Sequence, residues 1–151
     1  MLIVSLFAFV GCDSAEQQAE ALVIRTERTS YSPGDTVSVS FENRRPATAY
    51  VLRSGCSTVD RVWLPVVLME TMAQGEWVPA ARGVSCPAIA TPPAELLPGD
   101  AYAVRLHVGV SRLPEIPPGT YRYVFFVRDE VYESETDLPE AERVSNAFTV
   151  R

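Results

Sequence analysis

The chain has no lysine. All 13 of its basic residues are arginine, set against 19 acids, for a formal net charge of −6 and a pI near 4.8. That balance argues against a nucleic-acid partner, because phosphate contacts need a basic face, and against attachment to an acidic bilayer by charge alone. The arginines are scattered along the sequence, which points to coding bias and not to a site. Histidine is nearly absent too: His107 is the single copy. No Gly-x-Ser-x-Gly elbow, phosphate-binding glycine loop or dinucleotide fingerprint accompanies it. A catalytic histidine needs a nucleophile and an orienting acid, so the expectation is a protein that is not an enzyme, with no cofactor and no small-molecule substrate. Long apolar runs are missing as well, since Leu2–Val10 falls far short of the roughly 20 residues of a membrane-spanning helix.

That short run has the length of a signal-peptide core and ends in Gly11-Cys12. Ala8-Phe9-Val10-Gly11-Cys12 resembles the bacterial lipobox, with Phe9 where Leu is usual. The resemblance implies a signal peptide over residues 1–11 and lipid attachment at Cys12. It also implies an exported protein, anchored to a bacterial membrane and facing the periplasm or the cell exterior. No arginine precedes the run, and a start codon farther upstream would supply the missing positive region. Residues 12–21 are polar and small, without the large apolar side chains a core requires, so they read as a solvated tether. Residues 22–151 then form one domain, a size that supports a single core.

Of the three cysteines, Cys12 is assigned to the lipid, which leaves Cys56 and Cys86. An even pair in an exported chain predicts a disulfide, and closing a loop of about thirty residues would stabilise the fold by roughly 3 kcal/mol. Zinc is disfavoured because no second Cys or His pair stands at ligand spacing.

Alternating polar and apolar residues mark strands. Thr36–Glu42 puts Val37, Val39 and Phe41 on one face. Leu22–Thr26, Ala49–Arg53, Val66–Thr71, Trp77-Val78, Tyr102–Val108, Thr120–Val127 and Asn146–Val150 read likewise. Turn chemistry separates them at Pro33-Gly34, Gln74-Gly75, Pro98-Gly99 and Pro118-Gly119. Pro139–Glu142 is long enough for one helical turn. The expected fold is all-β, an antiparallel sandwich of about seven strands.

Tyr31-x-Pro-Gly-Asp35, the strand ending at Asn43, Trp77-Val-Pro, Leu97-Pro-Gly, Pro118-Gly-Thr-Tyr-Arg122 and Ser145-Asn-Ala-Phe-Thr-Val150 follow in that order. The ordered set resembles bacterial immunoglobulin-like domains of secreted lipoproteins and covers nearly all of residues 22–151. The resemblance implies an immunoglobulin-like β-sandwich in which Tyr121 forms a tyrosine corner, its hydroxyl bonded to backbone upstream. Tyr123 takes the place of the second inter-sheet cysteine of antibody-type domains.

The strand Thr120–Val127 is apolar on both faces, Tyr121, Tyr123 and Phe125 on one, Val124 and Phe126 on the other. The second face needs a cover, expected from Ser85–Leu97 or from a partner. Asp129, Glu130, Glu133, Glu135, Asp137, Glu140 and Glu142 follow in a long connection. It lacks the glycine and the Asp spacing of a calcium loop, so a solvated, self-repelling segment is expected. Val124, Phe126, Asp129, Glu130, Glu133, Glu135 and Asp137 form the candidate surface for a protein partner in the envelope. The function expected is a noncatalytic binding or structural module of a cell-envelope lipoprotein. The alternative is a protease inhibitor presenting a disulfide-braced loop.

Overall fold

A computed structural model describes residues 21–57, 63–81, 91–107, 116–131 and 137–151. Cys12, Cys86, Glu133 and Glu135 lie outside the described residues, as does the side chain of Cys56, and the expected lipid anchor and disulfide fall there with them.

The described chain is almost entirely β. Its strands are β1 (Leu22–Thr26), β2 (Ser30–Tyr31), β3 (Thr36–Asn43), β4 (Ala49–Val51), β5 (Arg53–Ser57), β6 (Trp63–Pro65), β7 (Val67–Ala73), β8 (Glu76–Ala81), β9 (Ala94–Leu96), β10 (Ala101–His107), β11 (Gly119–Phe125), β12 (Val127–Arg128) and β13 (Phe148–Val150). The predicted helical turn is a 3₁₀ turn at Glu140–Glu142. Strands β1, β3 and β10 make one sheet, and β2, β13, β11, β7 and β8 a second; β12, β4 and β9 form a third, and β5 with β6 a small ribbon. Among the described residues the strand pairings are antiparallel except β2 beside β13, and an isolated parallel bridge joins Ile24 to Ser145.

Several segments are halves of one bent strand, which is why sequence alternation counts fewer of them. Strands β3 and β10 pair from Thr36↔His107 to Glu42↔Ala101, and β4 and β9 pair again from Ala49↔Leu96 to Val51↔Ala94, shifted out of the first register. Between the two halves sits Asn43, fully buried. Likewise β11 leaves the five-stranded sheet after Phe125 and continues as β12 against β4. At that crossing Leu52, Phe126 and Val66 close a ring of backbone hydrogen bonds. The Leu52 N–H donates to the Phe126 carbonyl at 2.9 Å, Phe126 to Val66 at 3.3 Å, and Val66 to Leu52 at 2.8 Å.

Local chemistry sets the turns. Ser32-Pro33-Gly34-Asp35 and Leu97-Pro98-Gly99-Asp100 are built alike, with Gly34 and Gly99 both at φ 85°, as a Pro-Gly centre of a type II turn requires. In each, the first residue's N–H donates to the aspartate Oδ2, at 3.0 and 2.9 Å. The hairpin joining β7 to β8 turns through Gln74 (φ 54°) and Gly75 (φ 88°), the left-handed pair that matches the twist of flanking strands.

The alternation of β3 holds: Val37, Val39 and Phe41 have no exposure, and they face Tyr121, Tyr123 and Phe125 of β11 in one core. Phe41 meets Phe125 edge-on at 4.8 Å, which joins the two larger sheets face to face. Tyr31 and Phe148, neighbours within the five-stranded sheet, also meet edge-on at 5.4 Å. Each pair of this kind adds about 1 kcal/mol beyond its area burial. Among the described residues no helix is long and apolar enough to cross a membrane.

Candidate functional site

The outward face of the five-stranded sheet carries the most developed polar arrangement in the described chain. Register places Arg122 opposite Glu70, and Met72 opposite Trp77, so β11, β7 and β8 each send one alternating set of side chains outward. Arg122 reaches across β7. Its Nε donates to Glu70 Oε2 at 2.7 Å, its Nη2 lies 2.7 Å from the same oxygen, and Nη2 also donates to Glu140 Oε1 at 2.6 Å. The guanidinium carbon lies 4.6 Å from the ring centroid of Trp77, within cation–π range.

These residues line a groove of about 420 Å³ together with Gly75, Glu76, Val124 and Arg143. The side chains of Arg122 and Glu70 are only 13% and 19% exposed, whereas Glu140 is 64% exposed. Short, charge-assisted contacts in a partly dry setting hold geometry better than surface pairs do. An arginine never deprotonates near neutrality, so the guanidinium stands as a fixed positive charge between the two carboxylates.

Arginines that are scattered in sequence converge in space on residues 137–142. Asp137 meets Arg143 at 3.4 Å and Arg128 at 3.6 Å, and Glu142 meets Arg45 at 3.4 Å. Glu142 also accepts from the Leu22 N–H at 3.1 Å, and Arg143 donates to the Leu138 carbonyl at 2.6 Å. The expectation of a solvated, mutually repelling segment is therefore corrected for its described end: Asp137 ties it to Arg128 of β12, and Glu142 ties it to Arg45 and to the start of β1. Sequence reasoning missed this because ion-pair partners far apart in the chain leave no local pattern.

Residues 85–90 of the segment expected to cover the second face of β11 lie outside the described residues. Val124, 8% exposed, bridges Val144 and borders the groove beside Glu140 and Arg143. Within Ser85–Leu97, the described part instead pairs with β4, where Ala94 and Leu96 enter the core. Phe126 is half-buried at the three-way backbone crossing, Asp129 and Glu130 are exposed, and Asp137 is half-buried between its arginines. Of the predicted partner surface, then, Val124 borders the groove, while Asp137 touches it only through Arg143. Trp77, Arg122 and Glu70 were not predicted; the legible signal was a charged Arg122 inside an otherwise apolar strand. His107 lies at the end of β10, which belongs to the other large sheet. Among the described residues no three of His, Cys, Asp and Glu converge as ligands for an ion.

Other titratable groups are shifted by plain causes. Burial raises the phenols of Tyr102 and Tyr123. On the exposed end of β3, the hydrogen bond from Arg44 lowers the Glu42 carboxyl.

No family model matches this sequence, and no curated protein does. Among solved structures, the chain is similar to the Pseudomonas fluorescens alkylpurine DNA glycosylase AlkC bound to DNA containing an abasic site analogue, at 13% identity and a TM-score of 0.40. The match covers 91% of this chain and 33% of the glycosylase, so the chain spans about a third of that protein's length.

Proposed function

We propose that this chain is the noncatalytic binding or structural module of a cell-envelope lipoprotein, an immunoglobulin-like β-sandwich tethered through Cys12. The sandwich is supported by two facing sheets and by the Tyr121 hydroxyl, which donates to the Pro117 carbonyl at 2.7 Å, the bond a tyrosine corner requires. The entry of the chain supports it as well: β1 belongs to one sheet, and β2 runs parallel to β13 in the other. Export and anchoring are supported by the apolar run before Cys12 and the polar residues after it.

The observation that carries the binding role is the groove on the outer sheet face, where Arg122 is fixed by Glu70, Glu140 and Trp77. Charged side chains on a rigid frame, locked to one another in place of water, form a pre-organised recognition surface. A photo-crosslinking residue at Met72, which is 39% exposed beside Trp77, tests it in the native envelope. A discrete adduct from position 72, absent when the probe is at exposed Arg25 on the opposite sheet, is the expected result. Equal labelling from both positions, or none from either, would refute the reading.

A further inference from the structure

The charges that line the groove do not balance. Glu70, Glu76 and Glu140 face Arg122 and Arg143, and Arg143 is already engaged by Asp137 and the Leu138 carbonyl. Arg122 is likewise consumed by two carboxylates. Glu76, exposed at the turn end beside Trp77, has no ion-pair partner among the described residues. Glu140 is mostly exposed and spends one oxygen, Oε1, on Arg122. The surplus is therefore negative, and it sits where the half-buried indole and Val124 supply apolar wall.

An anionic occupant finds no uncommitted guanidinium here. A neutral apolar one would strip water from Glu76 and Glu140 without compensation. A long cationic side chain satisfies both requirements, since its methylene stem packs on apolar surface while its head meets carboxylate. We infer that the groove takes an arginine or lysine side chain from a basic segment of a protein partner, with Glu76 and Glu140 meeting the charge and Trp77 the stem. The inference rests on the binding-module reading and names the chemistry of its partner.

Titration of the ¹⁵N-labelled full chain with acetyl-Ala-Arg-Ala-Arg-Ala-amide, followed at the Trp77 indole N–H, tests it directly. The expected result is a saturable shift that the same peptide with Gln for Arg does not produce. Glu76→Lys, at an exposed position without a partner, should weaken binding about three- to fivefold, as loss of one surface charge contact does. Raising the salt should weaken it further. An equal shift with the Gln peptide, or an unchanged affinity in Glu76→Lys, would overturn the assignment. A discrete adduct from position 72 together with no response to the Arg peptide would sink this inference alone and leave the binding module standing.

Discussion

The Tyr121 hydroxyl donates to the carbonyl of Pro117 at 2.7 Å, while the Tyr121 ring, 2% exposed, lies 6.3 Å from Phe148. One side chain thus fixes the entry of the chain into β11 and fills the core beneath it. Tyr121→Phe keeps the ring and removes the bond. Stability should fall by about 1–2 kcal/mol, read as a lower urea midpoint at unchanged slope. Gly119→Ala tests the same contact from outside, since a Cβ there would stand 3.2 Å from Tyr121 Cε2.

Asn43 is the plug at which β3 and β10 break and resume as β4 and β9. Its Nδ2 donates to the carbonyls of Ala47 at 2.9 Å and Leu96 at 2.8 Å, and its Oδ1 accepts from the Arg45 N–H at 3.1 Å. Asn43→Leu strands all three backbone partners beside an apolar side chain. A loss of about 3 kcal/mol is expected, measured by thermal unfolding. Asn43→Asp should cost at least as much at neutral pH, because a carboxylate would face two carbonyl oxygens.

The contrast between these two residues explains what the sequence made legible. The alternation of Val37, Val39 and Phe41, and of Phe148 and Val150, is a local pattern with period two, so those strands and their buried faces were readable. Tyr121 was readable because it stands at a fixed offset from a Pro-Gly turn. Asn43 looked like an ordinary strand end, since its partners at Leu96 and Asp100 lie some fifty residues away in sequence. The groove failed for the same reason. Arg122, Glu70, Glu140 and Trp77 are neighbours only through strand register and a returning C-terminal segment. The short strands β2, β6 and β9 are likewise too brief to show periodicity.

Arg122 and Glu70 form the least exposed ion pair of the groove. Arg122→Leu leaves the Glu70 carboxylate without its guanidinium in a partly dry site, and a loss of about 1–3 kcal/mol is expected. Replacing both residues with leucine should recover stability to within about 1 kcal/mol of the parent, because the pair is then exchanged for apolar surface on the sheet. The measurement is a double-mutant cycle by denaturant unfolding. A purely additive cycle would show that the two side chains do not interact.

Tyr123 is 3% exposed and its hydroxyl has no hydrogen-bond partner among the described residues. Burial, reinforced by the nearby Tyr31, holds its phenol well above the ordinary value of 10.0. Above pH 10 the unfolded chain releases this proton and the folded chain keeps it, so the unfolded state binds fewer protons and stability falls as pH rises, by about 1.4 kcal/mol per unit. Tyr123→Phe removes both the unpaired hydroxyl and the titration. At pH 7 it should be more stable than the parent by about 1 kcal/mol, and its stability should decline less between pH 10 and 11. A variant that is weaker at pH 7, with an unchanged alkaline limb, would contradict this account.

Cys12 is the test of where the module works. The chain around it offers one apolar run, too short to span a bilayer, followed by residues 12–21 without large apolar side chains. If a lipid on Cys12 is the anchor, Cys12→Ala removes that covalent hold, and the net negative charge of the chain gives it no affinity for an acidic bilayer. The variant should move from the membrane pellet to the soluble envelope or culture fraction, with its thermal unfolding unchanged because Cys12 belongs to a stretch without the large apolar side chains a core requires. A basic partner would retain part of it, and that retained fraction should be released by salt, whereas lipid anchoring resists salt. Fractionation of parent and variant at low and high ionic strength separates the two holds. Salt-resistant retention of Cys12→Ala would remove Cys12 as the anchor.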